Sequence, residues 1–187
     1  ARNGRSSKSY YDEGLWQKAL SDHGDYYLIQ FGHNDMPGKG PERETDPNTT
    51  YAANLRRYIQ QVRDIGAVPV IVTSLSRRTF KDGKVIEDLN DYAAAARRVA
   101  GEEQVSVVDL NRMSTALLNT MTQEQADRFD ADFHPDAKAE NQQGTHDRTH
   151  LNDYGKKIFG RMVADDLIRN RVELVPDVIV EPQAAPR

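Results

Sequence analysis

The densest concentration of reactive side chains lies late in the chain, in Thr145-His146-Asp147-Arg148-Thr149-His150-Leu151-Asn152. An Asp and a His three residues apart on a bend can set the carboxylate against one imidazole nitrogen. The other nitrogen is then free to act as a base. The same spacing also suits a capped helix start with solvated polar residues, which is the commoner origin of an isolated Asp-x-x-His. A metal reading competes, because His146-Asp147-Arg148-Thr149-His150 resembles H-E-x-x-H with Asp for Glu. That motif needs both imidazoles on one helical face and a Glu long enough to reach a metal-bound water. Here the segment follows Gly144 in a polar loop, Asp is one methylene shorter, and no third ligand is evident. Asp130-Ala131-Asp132 with Asp136 hints at a calcium loop. Pro135 stands where such a loop needs Gly, and Asn141 where it needs Glu. The expectation is therefore no metal.

Two earlier segments carry weaker signals. Gly32-His33-Asn34-Asp35 follows an apolar run. An Asn amide at a strand end can donate a hydrogen bond into a cleft, as oxyanion stabilisation requires; an Asn/Asp turn explains the same residues. His33 reads as a loop-packing residue. In Asn3-Gly4-Arg5-Ser6-Ser7-Lys8-Ser9, Gly4 lets a backbone N–H approach a ligand closely. A plain solvated loop with a basic flavour fits as well.

The elements that must position these segments alternate. Asp12 to Ala19 reads as a short helix, and Tyr26 to Phe31 as a buried strand. Met36 to Thr50 is a Pro-, Gly- and charge-rich loop. Tyr51, Leu55, Tyr58, Ile59 and Val62 recur at helical spacing, and Gly66 ends that helix. Val68 to Thr73 is a second strand, Leu89 to Ala100 a helix, Val105 to Leu110 a third strand, and Ser114 to Met121 a helix. Asp127 to Asp147 is polar and irregular, and a last helix runs from Asn152 to Arg169. This alternation predicts an α/β fold with a parallel sheet. Sites in such sheets form on loops at the carboxyl ends of strands. Gly32–Asp35 and Thr73–Arg78 occupy such ends. Residues 1–170 are expected to form one domain and 171–187 a tail, with three of the eight prolines between Val175 and Arg187.

Composition narrows the classes. The 187 residues suffice for one domain, with 37% hydrophobic and 29% charged residues. A net charge of -4 argues against whole-surface attraction to nucleic acid or anionic membrane. There is no cysteine, so neither disulfides nor thiolate metal sites arise. No apolar run approaches membrane-spanning length.

Each signal is weak alone, but their order is specific. N-G-R-S-S-K-S-Y, Q-F-G-H-N-D, T-S-L-S-R-R-T-F, D-L-N-D-Y-A, V-V-D-L and D-R-T-H-L-N-x-x-G together resemble the rhamnogalacturonan acetylesterases, a carbohydrate esterase family within the SGNH (GDSL) hydrolases. The resemblance runs from about Ala1 to Leu167. It implies a three-layer α/β/α flavodoxin-like fold with a parallel sheet ordered 2-1-3-4-5. It implies that Gly4 N–H and the Asn34 amide are oxyanion donors, that His150 is the general base and that Asp147 orients it. Thr149 and Asn152 resemble motif neighbours. It also implies no cofactor, an acetylated polysaccharide or oligosaccharide as partner, and a secreted or periplasmic location.

The chain departs from the family in one respect: no Gly-Asp-Ser block occurs in it. Ser6, Ser7 and Ser9 lie within the glycine block and follow the wrong residues. The nucleophile and the family's first strand are expected upstream of Ala1, on about forty residues of one βα unit. The 187 residues alone are expected to be inactive. Galacturonate polymers are anionic, so Arg5, Lys8, Arg77 and Arg78 could form a local basic rim, or be ordinary solvated charges. The alternative function is a non-catalytic carbohydrate-binding or scaffold protein on the same fold. A flavodoxin-like nucleotide binder ranks last, because no Gly-rich phosphate loop follows a strand.

Overall fold

The structure, a computed structural model, describes residues 2–133 and 146–170. The calcium-loop positions 135, 136 and 141, the loop positions 144 and 145, and the expected tail at 171–187 lie outside them. The chain divides into two compact units. The first comprises Ala1–Arg77 and Glu87–Thr115, the second Arg78–Ile86 and Ala116–Arg187.

The first unit is built on a parallel sheet of three strands, β1 (Tyr26–Ile29), β2 (Val68–Val72) and β5 (Ser106–Val108), in the order β1-β2-β5. Leu28 pairs with Val70, and Ile71 with Val107. These are the three apolar runs of the sequence. The expected helix from Asp12 to Ala19 is instead two short ones, α1 (Ser9–Asp12) and α2 (Leu15–Leu20). Gly14 between them takes a left-handed φ of 72°, which breaks the helical path. α3 (Thr50–Asp64) follows its apolar spacing: Tyr51, Leu55, Tyr58, Ile59 and Val62 are all buried. α4 (Asn90–Glu102) adds Tyr92, Ala95, Ala96 and Val99 to the same core, which Ile29, Ile71 and Trp16 complete. α5 (Leu110–Leu118) begins earlier than its apolar pattern suggests, because Asp109 accepts the Met113 and Arg112 N–H groups at its start.

The second unit holds a hairpin of β3 (Phe80–Lys81) and β4 (Lys84–Val85) turning on Asp82-Gly83, both at positive φ. Asp-Gly is a strong short-range hairpin signal, and the strand reading overlooked it. α6 (Gln123–Asp127) starts with a capping box between Thr122 and Gln125. α7 (Asp153–Asn170) is capped by Asn152, whose side-chain oxygen accepts the Gly155 N–H at 2.8 Å. Gly155 is needed for packing: a Cβ there would lie 2.8 Å from the Phe129 carbonyl oxygen. Phe129 stacks on Tyr154 and meets Phe159 edge-on.

Candidate functional site

In the first unit, one buried carboxylate gathers the glycine block and the Gly-His-Asn-Asp turn. Asp35 accepts Ser7 Oγ at 2.5 Å, Thr45 Oγ1 at 2.9 Å, Gly32 N at 3.0 Å and Ser7 N at 3.1 Å. Burial pushes its carboxyl up from the ordinary value, against the pull of these donors. The knot brings Asn34 beside the glycine block, where its amide lies 3.5 Å from the Arg5 carbonyl oxygen, at the outer limit of a hydrogen bond. Gly4 sits in that block with φ of 73°. Asn34 and Gly4 are half-buried. Tyr58 donates to the Ser7 carbonyl at 2.7 Å, and Tyr92 to the carbonyls of Asp35 and Thr45.

The three serines of the block are each engaged in hydrogen bonds. Ser6 and Ser9 exchange hydrogen bonds between backbone N–H and hydroxyl at 3.0 and 3.1 Å, and Ser7 is held by Asp35 and Asn54. All three are buried.

In the second unit, Asp147 and His150 meet. Asp147 Oδ2 lies 2.8 Å from His150 Nδ1. Its other oxygen accepts the N–H groups of Thr149 at 3.2 Å and His150 at 3.0 Å. Burial raises the Asp147 carboxyl, but the backbone N–H and ring of His150 and the Thr149 N–H outweigh it, leaving it below its usual value. An ionised carboxylate only accepts, so the neutral ring carries its proton on Nδ1 and offers the Nε2 lone pair. The His150 side chain is 62% exposed. That arrangement can take up a proton from a neighbouring hydroxyl.

The expected basic rim changes composition. Arg78 is 0% exposed and paired with Asp130, so it faces no substrate. Its guanidinium turned inward because a buried carboxylate and main-chain carbonyls receive it there. Arg77 pairs with Asp88 at 2.6 Å, and Arg5 with Glu13 at 2.8 Å. Lys8 donates to the Pro41 carbonyl. His33 is half-buried in the turn.

Asp127, Asp130 and His146 bring potential ligand atoms within 4.8 Å of one another. Two of the three are already neutralised, Asp130 by Arg78 and Asp127 by Arg148 at 3.1 Å. Burial nevertheless pushes the Asp130 carboxyl up to about 6. Sequence reasoning missed both Asp35 and Asp130 as organising groups. The adjacency of Asp35 to Asn34 was the only signal for the first.

The fold is that of the SGNH hydrolases. The X-ray structure of a Bacillus subtilis protein matches with a TM-score of 0.69 at 23% identity, over 89% of this chain and 43% of that one. This chain belongs to the GDSL-like lipase/acylhydrolase family, whose pattern matches residues 1–158. It is 31% identical over 183 residues to "Probable rhamnogalacturonan acetylesterase YesY" of Bacillus subtilis (strain 168), covering 97% of this chain and 80% of that protein. It is 34% identical over 171 residues to "Rhamnogalacturonan acetylesterase RhgT" of the same organism, covering 89% and 72%.

Proposed function

We propose that these residues belong to a serine carbohydrate O-acetylesterase acting on acetylated pectic polysaccharide of the rhamnogalacturonan kind, outside the cytoplasm. The observation that carries the reading is the Asp147–His150 pair, with the carboxylate on Nδ1 and the ring exposed, in a chain of this family. In the reading, a serine outside these 187 residues attacks the acetyl carbonyl. His150 takes the serine proton and returns it to the departing sugar hydroxyl, while Asp147 holds the tautomer and stabilises the imidazolium. Gly4 N–H and the Asn34 amide converge on the oxyanion. Water then releases acetate by the same base. Arg5 and Arg77 are the remaining candidates for contact with galacturonate.

The test uses the full-length protein and 4-nitrophenyl acetate. His150→Ala should abolish turnover, and Asn34→Ala should lower kcat by roughly a hundredfold, the usual worth of one oxyanion donor. Unchanged rates in either variant would remove that residue from the mechanism. Residues 1–187 alone should neither turn over the ester nor react with a fluorophosphonate; labelling of Ser6, Ser7 or Ser9 would relocate the nucleophile. A full-length protein that binds acetylated pectin but hydrolyses no ester would favour the carbohydrate-binding alternative.

A further inference from the structure

We infer that Arg78 is a positioning residue for the Asp147–His150 pair, gripping the carbonyl side of the bend that carries both side chains. The inference rests on the esterase reading for its catalytic meaning and on hydrogen bonding for its geometry. Arg78 Nη2 donates to the His150 carbonyl at 2.7 Å and reaches the Asp147 carbonyl at 3.4 Å. Its backbone N–H donates to the Arg148 carbonyl at 3.1 Å. Three of the four carbonyls in the segment 147–150 therefore face donors of this one residue. Asp147 grips the opposite side of the bend through the N–H groups of Thr149 and His150. Between them the two side chains leave the segment little freedom to turn the imidazole away from its carboxylate.

Arg78 is itself held. Its Nε donates to Asp130 Oδ1 at 2.5 Å, and its carbonyl accepts Gln123 Nε2 at 2.7 Å. Asp130 is tied to the strand-like pairing beside the bend: it bridges Leu151, and the neighbouring Ala131 N–H donates to the His150 carbonyl at 3.1 Å. A planar guanidinium suits the task. Its fixed fork serves a carboxylate on one edge and carbonyls on another, which an ammonium on a flexible stem does not reproduce.

Stability alone explains the pair poorly. Arg78 and Asp130 are both 0% exposed, and a buried ion pair is often no better for stability than apolar residues of the same volume. Among the described residues, Arg78 Nη1 and Asp130 Oδ2 are buried without hydrogen-bond partners. Arg78 Nη2 and the Arg78 backbone N–H converge on one four-residue segment. A cation seated among Asp127, Asp130 and His146 would compete for the same carboxylates, but Arg78 and Arg148 already occupy them.

The test compares full-length wild type with Arg78→Met and Arg78→Lys. Two readouts report on position: the nitrogen-15 shifts of the neutral His150 ring, which give its tautomer, and the split between kcat and KM on 4-nitrophenyl acetate. Wild type should show the Nδ1–H tautomer. Arg78→Met should move the ring toward a mixture with Nε2–H and lower kcat by roughly a hundredfold, the cost of an ångström-scale misplacement, with KM within about twofold. Arg78→Lys should recover urea resistance toward wild type without recovering kcat or the tautomer. Where Arg78→Met does not fold, Arg78→Lys decides by the same two readouts. A folded variant with the wild-type tautomer and kcat overturns the inference. If wild type hydrolyses no ester yet the tautomer still responds to Arg78, the esterase reading fails and the positioning role stands.

Discussion

Replacing Asp35 should cost more stability than replacing any exposed carboxylate of the chain. Its carboxylate serves four donors: two hydroxyls and two backbone N–H groups. In Asp35→Ala the hydroxyls can turn to other acceptors, while Ser7 Oγ keeps accepting the Asn54 amide N–H. The N–H groups of Ser7 and Gly32 cannot turn. Each buried donor left without a partner costs about 1–3 kcal/mol. Part of that is returned, because burial opposes the ionised form of Asp35. The expected net loss is about 2–4 kcal/mol. Asp35→Asn should be little better. An amide oxygen in the Oδ1 place keeps both hydroxyls, but the amide nitrogen then points a donor at the Gly32 N–H. The assay is urea unfolding followed by fluorescence of Trp16, the single tryptophan, which is buried in the core of the same unit. Activity on the small ester should fall in Asp35→Asn even under conditions where it is folded, because the glycine block and the Asn34 turn lose their common tether. A loss below about 0.5 kcal/mol in Asp35→Ala would place that site within the ordinary surface range and refute the accounting.

Gly155→Ala should lower the urea midpoint, by roughly 1–3 kcal/mol of overpacking against the Phe129 carbonyl, even though alanine favours helices; an unchanged midpoint would show that α7 can shift. The folded carboxyl of Asp147 titrates below its unfolded value, so its pairing stabilises the fold above the ordinary carboxylate range and fades as pH falls through the folded value. In His150→Ala the Asp147 carboxyl should titrate higher in carbon-13 spectra, though the backbone N–H of residue 150 remains, and no movement would mean that the imidazole ring is not what holds it down. Dialysis of the full-length protein against EDTA should leave the esterase rate unchanged, whereas a loss restored by zinc would revive a metal role for His146 with its neighbours.

The sheet and its helices were legible because their signals are collective. Five apolar residues at helical spacing identify α3, since no other arrangement buries them together. Three apolar runs identify β1, β2 and β5 for the same reason. The short elements were less so. The β3–β4 hairpin offers two residues on each side of Asp82-Gly83, too few for alternation to be seen, and α6 is five residues behind a capping box. Where a single residue decides, as Gly14 does between α1 and α2, a count of apolar positions averages it away.

The candidate site shows the same limit more sharply. The pairing of Asp147 with His150 is local, three residues apart, and could be read from spacing and motif alone. Arg77 and Arg78 are identical in type and adjacent in sequence, and the rim reading treated them alike. One keeps an edge of exposure and pairs with Asp88, eleven residues away. The other is wholly buried and pairs with Asp130, fifty-two residues away. Nothing in the local pattern separates them, because a guanidinium goes inward only where a carboxylate and enough carbonyls wait to replace its water. Those partners come from distant parts of the chain. A local motif can therefore name groups that meet across a few residues, while the partners a buried guanidinium finds across the chain appear only in three dimensions. For this chain, that makes Arg78 a stricter test of the structure than His150 is.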